Sequence, residues 1–272
     1  MNDVHEFIGI HSMDKIFKHK KPELPSDCTF AISPSSIGKF FQYPRIWYEE
    51  NILQSTQQYP TTAMLTGTIC HYIYEHVAKD RKKKFDEDLL EKRLIDYVDT
   101  LPSDVKANID INQIMIDVYS VAQNVVNKYI LPHDKVCKGV EKSLCSKVLD
   151  DIYVAGTVDR IDGDCVVDFK TVSKKPVEGS QIPFNYLIQL LSYAYMLRQH
   201  GYEINRIRIV WGILPTKTIG ARVMETTQEI DFTHEKLIKD TLQLIAETVI
   251  KAREDPSLIH LLFKSMDLKC IN

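Results

Sequence analysis

Residues 152–171, IYVAGTVDRIDGDCVVDFKT, decide the fold that this sequence predicts. Two apolar runs are separated by DGD (162–164), a turn sequence typical of two-residue hairpin loops. Side chains alternate between the two faces of a strand. If the loop is residues 163–164, Asp159 lies directly opposite Asp168. If the loop is residues 162–163, the pairing slips by two residues and both carboxylates still share one face.

Lys170 shares a strand face with Asp168 in either register, because the two residues are two positions apart. The hairpin therefore brings two carboxylates and one ammonium together. Carboxylates held this close repel each other unless a cation lies between them. The hairpin predicts a divalent metal site with Lys170 beside it.

Four short motifs resemble one enzyme family. GTVD (156–159) followed by DFK (168–170) resembles the catalytic core of the PD-(D/E)XK nucleases, in particular their RecB-like branch. That branch also carries a G-x-x-x-H motif upstream and a Q-x-x-x-Y motif downstream, which here are GTICH (67–71) and QLLSY (189–193). A D-x-K match alone is unspecific, whereas four motifs in the right order are specific. The resemblance runs from about residue 33 to residue 214.

The resemblance implies roles for individual residues. The predicted metal ligands are His71, Asp159, Asp168 and the main-chain carbonyl of Phe169, and the predicted ion is Mg²⁺ or Mn²⁺. Lys170 lies beside the attacking water, where it could lower the pKa of that water, act as a base or hold the phosphate. These three roles stay open at this point. Gln189 and Tyr193 are expected to border the catalytic centre, on one face of a helix.

Other polar residues allow a functional and an ordinary interpretation. Glu75 lies four residues after His71, and Glu141 lies where related nucleases carry an acid on their first strand. Either could support the metal site or be an ordinary surface charge, and Glu141 could also bind a second cation. Lys174 and Lys175 follow the hairpin, and Arg81 opens a run of four cations. These three are candidate DNA contacts, with a solvated surface as the alternative.

The chain lacks the cysteine pattern of the iron–sulfur members of this branch. In those members a cysteine precedes the proline of an upstream S-x-S…P element, whereas here Tyr43 precedes Pro44. Near the C-terminus the sequence offers only Cys270. We therefore predict no iron–sulfur cluster.

Composition limits the compartment and the kind of partner. The six cysteines are scattered without a C-x-x-C pair, which is typical of a reduced cytosolic protein. Acidic residues at the N-terminus and the absence of a long apolar run argue against a signal peptide and a membrane span. The net charge of −3 argues against a uniformly basic surface but permits a local basic channel. We expect a cytoplasmic protein of a bacterial or virus-infected cell, with no membrane partner.

The pattern of elements predicts an α/β (α+β) fold, with a mixed central sheet flanked by helices. We expect one restriction-endonuclease-like domain over residues 1–272, with a helical insertion at about 85–135. Besides the hairpin, strands are predicted at 138–149, 206–214 and, as an edge strand, 222–232. Helices are predicted at 31–52 after a serine cap, 63–84, 183–201 and 233–255, the last starting at Thr233.

The resemblance implies a metal-dependent DNA exonuclease that leaves 5′-phosphate and 3′-hydroxyl products. Its expected setting is DNA recombination, repair or replication, acting on duplex ends or single strands, with a recombination or single-strand-binding protein as a potential partner. One alternative is an endonuclease on flaps or single strands. A second, of a different class, is a non-catalytic DNA-binding module with the same fold.

Overall fold

The computed structural model describes residues 22–55, 59–80 and 87–255. The strands are β1 (Phe30–Ile32), β2 (Cys137–Leu149), β3 (Ile152–Asp162), β4 (Cys165–Val172), β5 (Arg206–Ile213) and β6 (Arg222–Glu229). The helices are α1 (Pro34–Gln42), α2 (Pro44–Asn51), α3 (Thr62–Asp80), α4 (Glu87–Asp99), α5 (Ser103–Lys106), α6 (Ile111–Val125), α7 (Phe184–Gln199) and α8 (Phe232–Glu254). A π-helical turn, Val126–Ile130, continues α6.

The sheet is mixed and is organised around β3. Strand β2 runs antiparallel along one edge of β3 over nearly its whole length. The other edge is shared: β1 pairs in parallel with residues 152–154, and β4 pairs antiparallel with residues 160–162. Residues 155–159 therefore have no strand partner on that edge among the residues that the structure describes. Beyond β4 lie β5 in parallel and β6 antiparallel at the far edge.

The hairpin takes the first of the two predicted registers. Asp162 pairs with Cys165, so the loop is residues 163–164, and Gly163 has a φ of +62°. That backbone region is open to glycine at no steric cost. Extending this register by one residue beyond the pair Arg160↔Val167 places Asp159 opposite Asp168.

Helices cover both faces of the sheet, because each face buries a separate set of apolar side chains. Helices α1, α2, α7 and α8 pack over one face, against residues such as Val158, Val166 and Ile209. Helices α3, α4 and α6 pack over the other face, against Val167 and Val210. The predicted fold class, a mixed sheet flanked by helices, is confirmed.

The helices over residues 87–125 lie where the insertion at about 85–135 is predicted, and they belong to the second helical layer. Their description as an insertion within one domain stays a prediction. No helix in the described parts of the chain is both long enough and apolar enough to cross a membrane.

Two predicted helix boundaries are wrong. Residues 31–52 form β1 and two short helices instead of one helix, because Pro44 cannot donate the hydrogen bond that a continuous helix needs there. Ser33 occupies the cap position of α1, but its hydroxyl lies 3.0 Å from the Ser35 hydroxyl and accepts no capping hydrogen bond from the helix backbone. Helix α8 begins at Phe232, and its cap is Asp231, which accepts from the backbone N–H of His234. The predicted helix 63–84 is described as far as residue 80.

Helix α6 packs so closely on β5 that Gly212 leaves no room for a side chain. A methyl group there would lie 2.6 Å from Val121 Cγ1 and 3.4 Å from the Tyr74 hydroxyl. We expect Gly212→Ala to lower the free energy of unfolding by about 1–3 kcal/mol, measured by urea denaturation. Gly67→Ala in α3 is the control, since nothing lies within 4 Å of its added methyl. The free energy of unfolding of the control should stay unchanged or rise by up to about 1 kcal/mol. Equal losses in both variants would contradict this account.

Candidate active site

The candidate site forms where β3 and β4 separate. Their ladder runs from Asp162↔Cys165 to Arg160↔Val167, and the next residues, Asp159 and Asp168, lie just beyond its end. The Asp159 carboxylate occupies this opening: its Oδ2 accepts a hydrogen bond of 2.8 Å from the backbone N–H of Phe169. The fork in the sheet thus holds one acid on each strand.

His71 reaches the fork from α3 on the second helical layer. Its Nδ1 lies 3.4 Å from Asp159 Oδ2. Burial lowers the pKa of His71, but the neighbouring Asp159 carboxylate more than offsets this and leaves the pKa raised. Burial likewise raises the pKa of Asp159, and the charge of His71 reverses the effect and leaves that pKa lowered. The structure therefore brings together the predicted histidine and the first predicted acid.

Asp168 and Lys170 form the second half of the site. Lys170 Nζ lies 2.8 Å from Asp168 Oδ2 and 3.0 Å from its Oδ1. Burial raises the pKa of Asp168, with Lys170 opposing the rise and Asp159 adding to it. For Lys170, burial lowers the pKa, but the carboxylates of Asp168 and Asp159 prevail and leave it raised. The ammonium is thus held in its charged form between two acids.

Helix α7 borders the site with the two residues predicted to do so. Their spacing of four places Gln189 and Tyr193 on one helix face. Gln189 Nε2 donates to Asp168 Oδ1 at 3.2 Å and to the Tyr193 hydroxyl at 3.3 Å. The close approach needs Gly156 in β3, because a methyl there would lie 3.1 Å from the Tyr193 ring and 3.0 Å from Pro34. Close packing against Tyr193 and Pro34 thus explains why the GTVD motif has glycine at residue 156.

Glu141 and Glu75 add negative charge beside Asp159. Glu141 falls opposite Asp159 between the flanking pairs Val140↔Arg160 and Lys142↔Val158, and its φ is +49°, which is uncommon for a residue with a side chain. Burial, followed by the charges of Asp159 and Glu75, raises the pKa of Glu141 to about 8. Glu75 itself is ion-paired with Lys79. Both acids line the same small cleft as His71 and Asp159.

The chemistry of these side chains fits a divalent cation, although they are not gathered around one point. No group of three or more His, Cys, Asp or Glu side chains is arranged to hold a metal within residues 22–55, 59–80 and 87–255. Asp168 Oδ2 is buried and lies 2.8 Å from Lys170 Nζ, but it accepts no hydrogen bond of good geometry from the described residues. The charge of Asp159 contributes to the raised pKa of both Asp168 and Glu141, and a bound cation would relieve this repulsion. The assignment of His71, Asp159, Asp168 and the Phe169 carbonyl as ligands stays a prediction.

The three predicted DNA contacts lie outside the cluster of site residues or outside the described residues. Lys174 and Lys175 are exposed in the loop after β4, and Lys175 lies 3.2 Å from Glu178. An exposed ion pair of this kind contributes little, so either lysine is free to exchange partners. Arg81 lies outside the residues that the structure describes.

Tyr186 is a site neighbour that sequence reasoning missed. Its ring centroid lies 5.3 Å from Lys170 Nζ. The signal was present in the sequence, because Tyr186 precedes Gln189 by three residues and Tyr193 by seven, which places all three on one helix face.

Comparison with known proteins yields a family match and structural matches. The family model of the PD-(D/E)XK nuclease superfamily matches residues 31–257. A candidate exonuclease from Eubacterium rectale shares the fold with a TM-score of 0.54 at 13% identity, over 82% of this chain and 81% of that one. The structure of LHK-Exo in complex with dAMP aligns with a TM-score of 0.43 at 10% identity, over 86% and 92% of the two chains. No curated protein matches the chain significantly.

Proposed function

Since the chain belongs to the PD-(D/E)XK nuclease superfamily, we propose that it is a divalent-metal-dependent DNA exonuclease. The observation that carries the proposal is the convergence of His71, Asp159, Asp168 and Lys170 at the fork between β3 and β4. The exonuclease assignment is further supported by the Eubacterium rectale protein with the same fold, which is described as a candidate exonuclease.

His71, the two aspartates and the Phe169 carbonyl are the groups that would hold Mg²⁺ or Mn²⁺. Such an ion supplies a Lewis acid for the phosphate and an activated water. Within the part of the chain that the structure describes, Lys170 is the one cationic side chain that pairs with Asp168. Since its pKa is raised, Lys170 is protonated at neutral pH, which favours electrostatic stabilisation of the phosphate over a role as base. Gln189 fixes the orientation of Asp168 through its hydrogen bond.

We propose that hydrolysis leaves a 5′-phosphate and a 3′-hydroxyl, as the family resemblance implies. The substrate is a DNA end or a single strand, because an exonuclease needs a terminus. A role in recombination, repair or replication follows from that substrate, and a recombination or single-strand-binding protein is a fitting partner.

Linear and closed circular DNA test the proposal directly. The purified chain is expected to degrade linear DNA in Mg²⁺ or Mn²⁺, to leave closed circles intact, and to be inactive in EDTA. Terminal-phosphate analysis of the released nucleotides should find 5′-phosphates. Cutting of closed circles would instead identify an endonuclease. Tight DNA binding without cleavage in either metal would identify a non-catalytic module.

A further inference from the structure

Tyr186 lies half-buried in the first turn of α7, outside the Q-x-x-x-Y motif. Its ring covers the Lys170 ammonium, with 5.3 Å between Nζ and the ring centroid. A cation within about 6 Å of an aromatic face is attracted by the negative face of the ring. The contact therefore acts on the lysine of the proposed catalytic centre.

The Tyr186 ring is itself held in place from the sheet. Trp211 packs against it edge to face, with centroids 5.6 Å apart and an interplanar angle of 69°. Trp211 pairs with Lys170 in the β4–β5 register, and its indole N–H donates to the Thr226 hydroxyl at 2.9 Å. The contact with Trp211, which is itself held by its hydrogen bond to Thr226, thus fixes the orientation of the Tyr186 ring beside Lys170.

Lys170 needs a second interaction to hold its ammonium, because its ion pair with Asp168 involves a proposed metal ligand. Among the described residues, only Asp168 forms an ion pair with Lys170. Asp168 is also a proposed metal ligand, and a carboxylate shared with a divalent cation holds an ammonium less strongly. An aromatic face attracts the ammonium without offering a carboxylate that the metal would compete for.

We infer that Tyr186 is a positioning residue, whose ring face keeps the Lys170 ammonium aimed at the reacting phosphate while Asp168 serves the metal. This role rests on the proposed nuclease function. The role predicts a specific kinetic effect: removing the ring should slow the chemical step without weakening DNA binding.

Steady-state kinetics on linear DNA with three variants test this role. Tyr186→Leu is expected to lower kcat about 3- to 30-fold, with KM for DNA within about twofold of wild type. Tyr186→Phe should keep nearly the full kcat, because its ring face is the same and only the hydroxyl is lost. Tyr195→Leu is the matched control, since Tyr195 is a half-buried tyrosine of the same helix packed on the same core. It should leave kcat unchanged.

Each other outcome has a defined meaning. A wild-type kcat for Tyr186→Leu would overturn the role, and so would a Tyr186→Phe variant as slow as Tyr186→Leu, since the hydroxyl would then be the active group. A loss confined to KM would show a DNA contact instead. Tyr186→Met is the second variant if leucine disturbs folding, which thermal denaturation reports. Absence of cleavage by the wild-type protein would instead contradict the proposed function itself.

Discussion

Replacing Asp168 with asparagine is expected to lower the rate of DNA cleavage about 10³-fold or more while leaving the protein folded. Asparagine keeps the shape of the side chain but removes the charge that holds Lys170 at 2.8 Å and the proposed metal ion. Cleavage of linear DNA in Mn²⁺, followed over time by gel electrophoresis, measures the loss. Calorimetric titration with Mn²⁺ should show weaker ion binding in the same variant.

The stability of Asp168→Asn should be unchanged or slightly higher without metal at neutral pH. Burial raises the folded-state pKa of Asp168, so the ionised form costs stability at pH values above its unfolded pKa of 3.8. That cost fades as the pH falls through the raised folded-state pKa, and asparagine never incurs it. Urea denaturation in EDTA at several pH values measures the difference.

The control for this variant lies on the same hairpin. Asp164→Asn changes an aspartate in the loop, where it pairs with Arg206 and lies away from the fork. It should keep the wild-type rate. An active Asp168→Asn enzyme, or equal losses in the two variants, would remove Asp168 from the catalytic centre.

Arg160→Met should give the largest loss of stability, about 3–5 kcal/mol in urea denaturation. Arg160 is 1% exposed, and its Nε donates to Asp162 Oδ1 at 2.7 Å. Another of its nitrogens donates to the His133 carbonyl at 2.9 Å. Methionine fills similar space but leaves the Asp162 carboxylate buried, with the Tyr129 hydroxyl, at 2.8 Å, as its remaining side-chain hydrogen-bond donor among the described residues. A buried charge without its counter-ion is strongly destabilising.

Two further variants separate this mechanism from general damage to the core. Arg206→Met breaks an ion pair with Asp164 in which the arginine side chain is 43% exposed, and it should cost less than about 1 kcal/mol. The double variant Arg160→Met/Asp162→Leu removes both buried charges and should recover most of the loss. A double variant less stable than the single one would show that packing, not the unpaired charge, dominates.

Local pattern was enough to predict five of the six strands that the structure describes, all except β1. The alternating apolar residues and the DGD turn predict the hairpin, and the structure confirms it. Helical spacing places Gln189 and Tyr193 on one face, and both reach the site. Local pattern failed at Pro44, where two helices replace one, and it missed Tyr186 despite its helical spacing.

The sequence by itself determined most of the secondary structure, the family and the set of chemical groups, because periodicity, turn residues and motif spacing are local properties of the chain. Only the tertiary structure decided how these groups meet. It selected the hairpin register, opened the fork beside Asp159, brought His71 across from the opposite helical layer and laid Tyr186 over Lys170. The side-chain contacts among them join residues 10 to 88 positions apart: 159 with 169, 170 with 186 and 71 with 159. Such contacts depend on how the helices pack on the sheet, which no local pattern specifies.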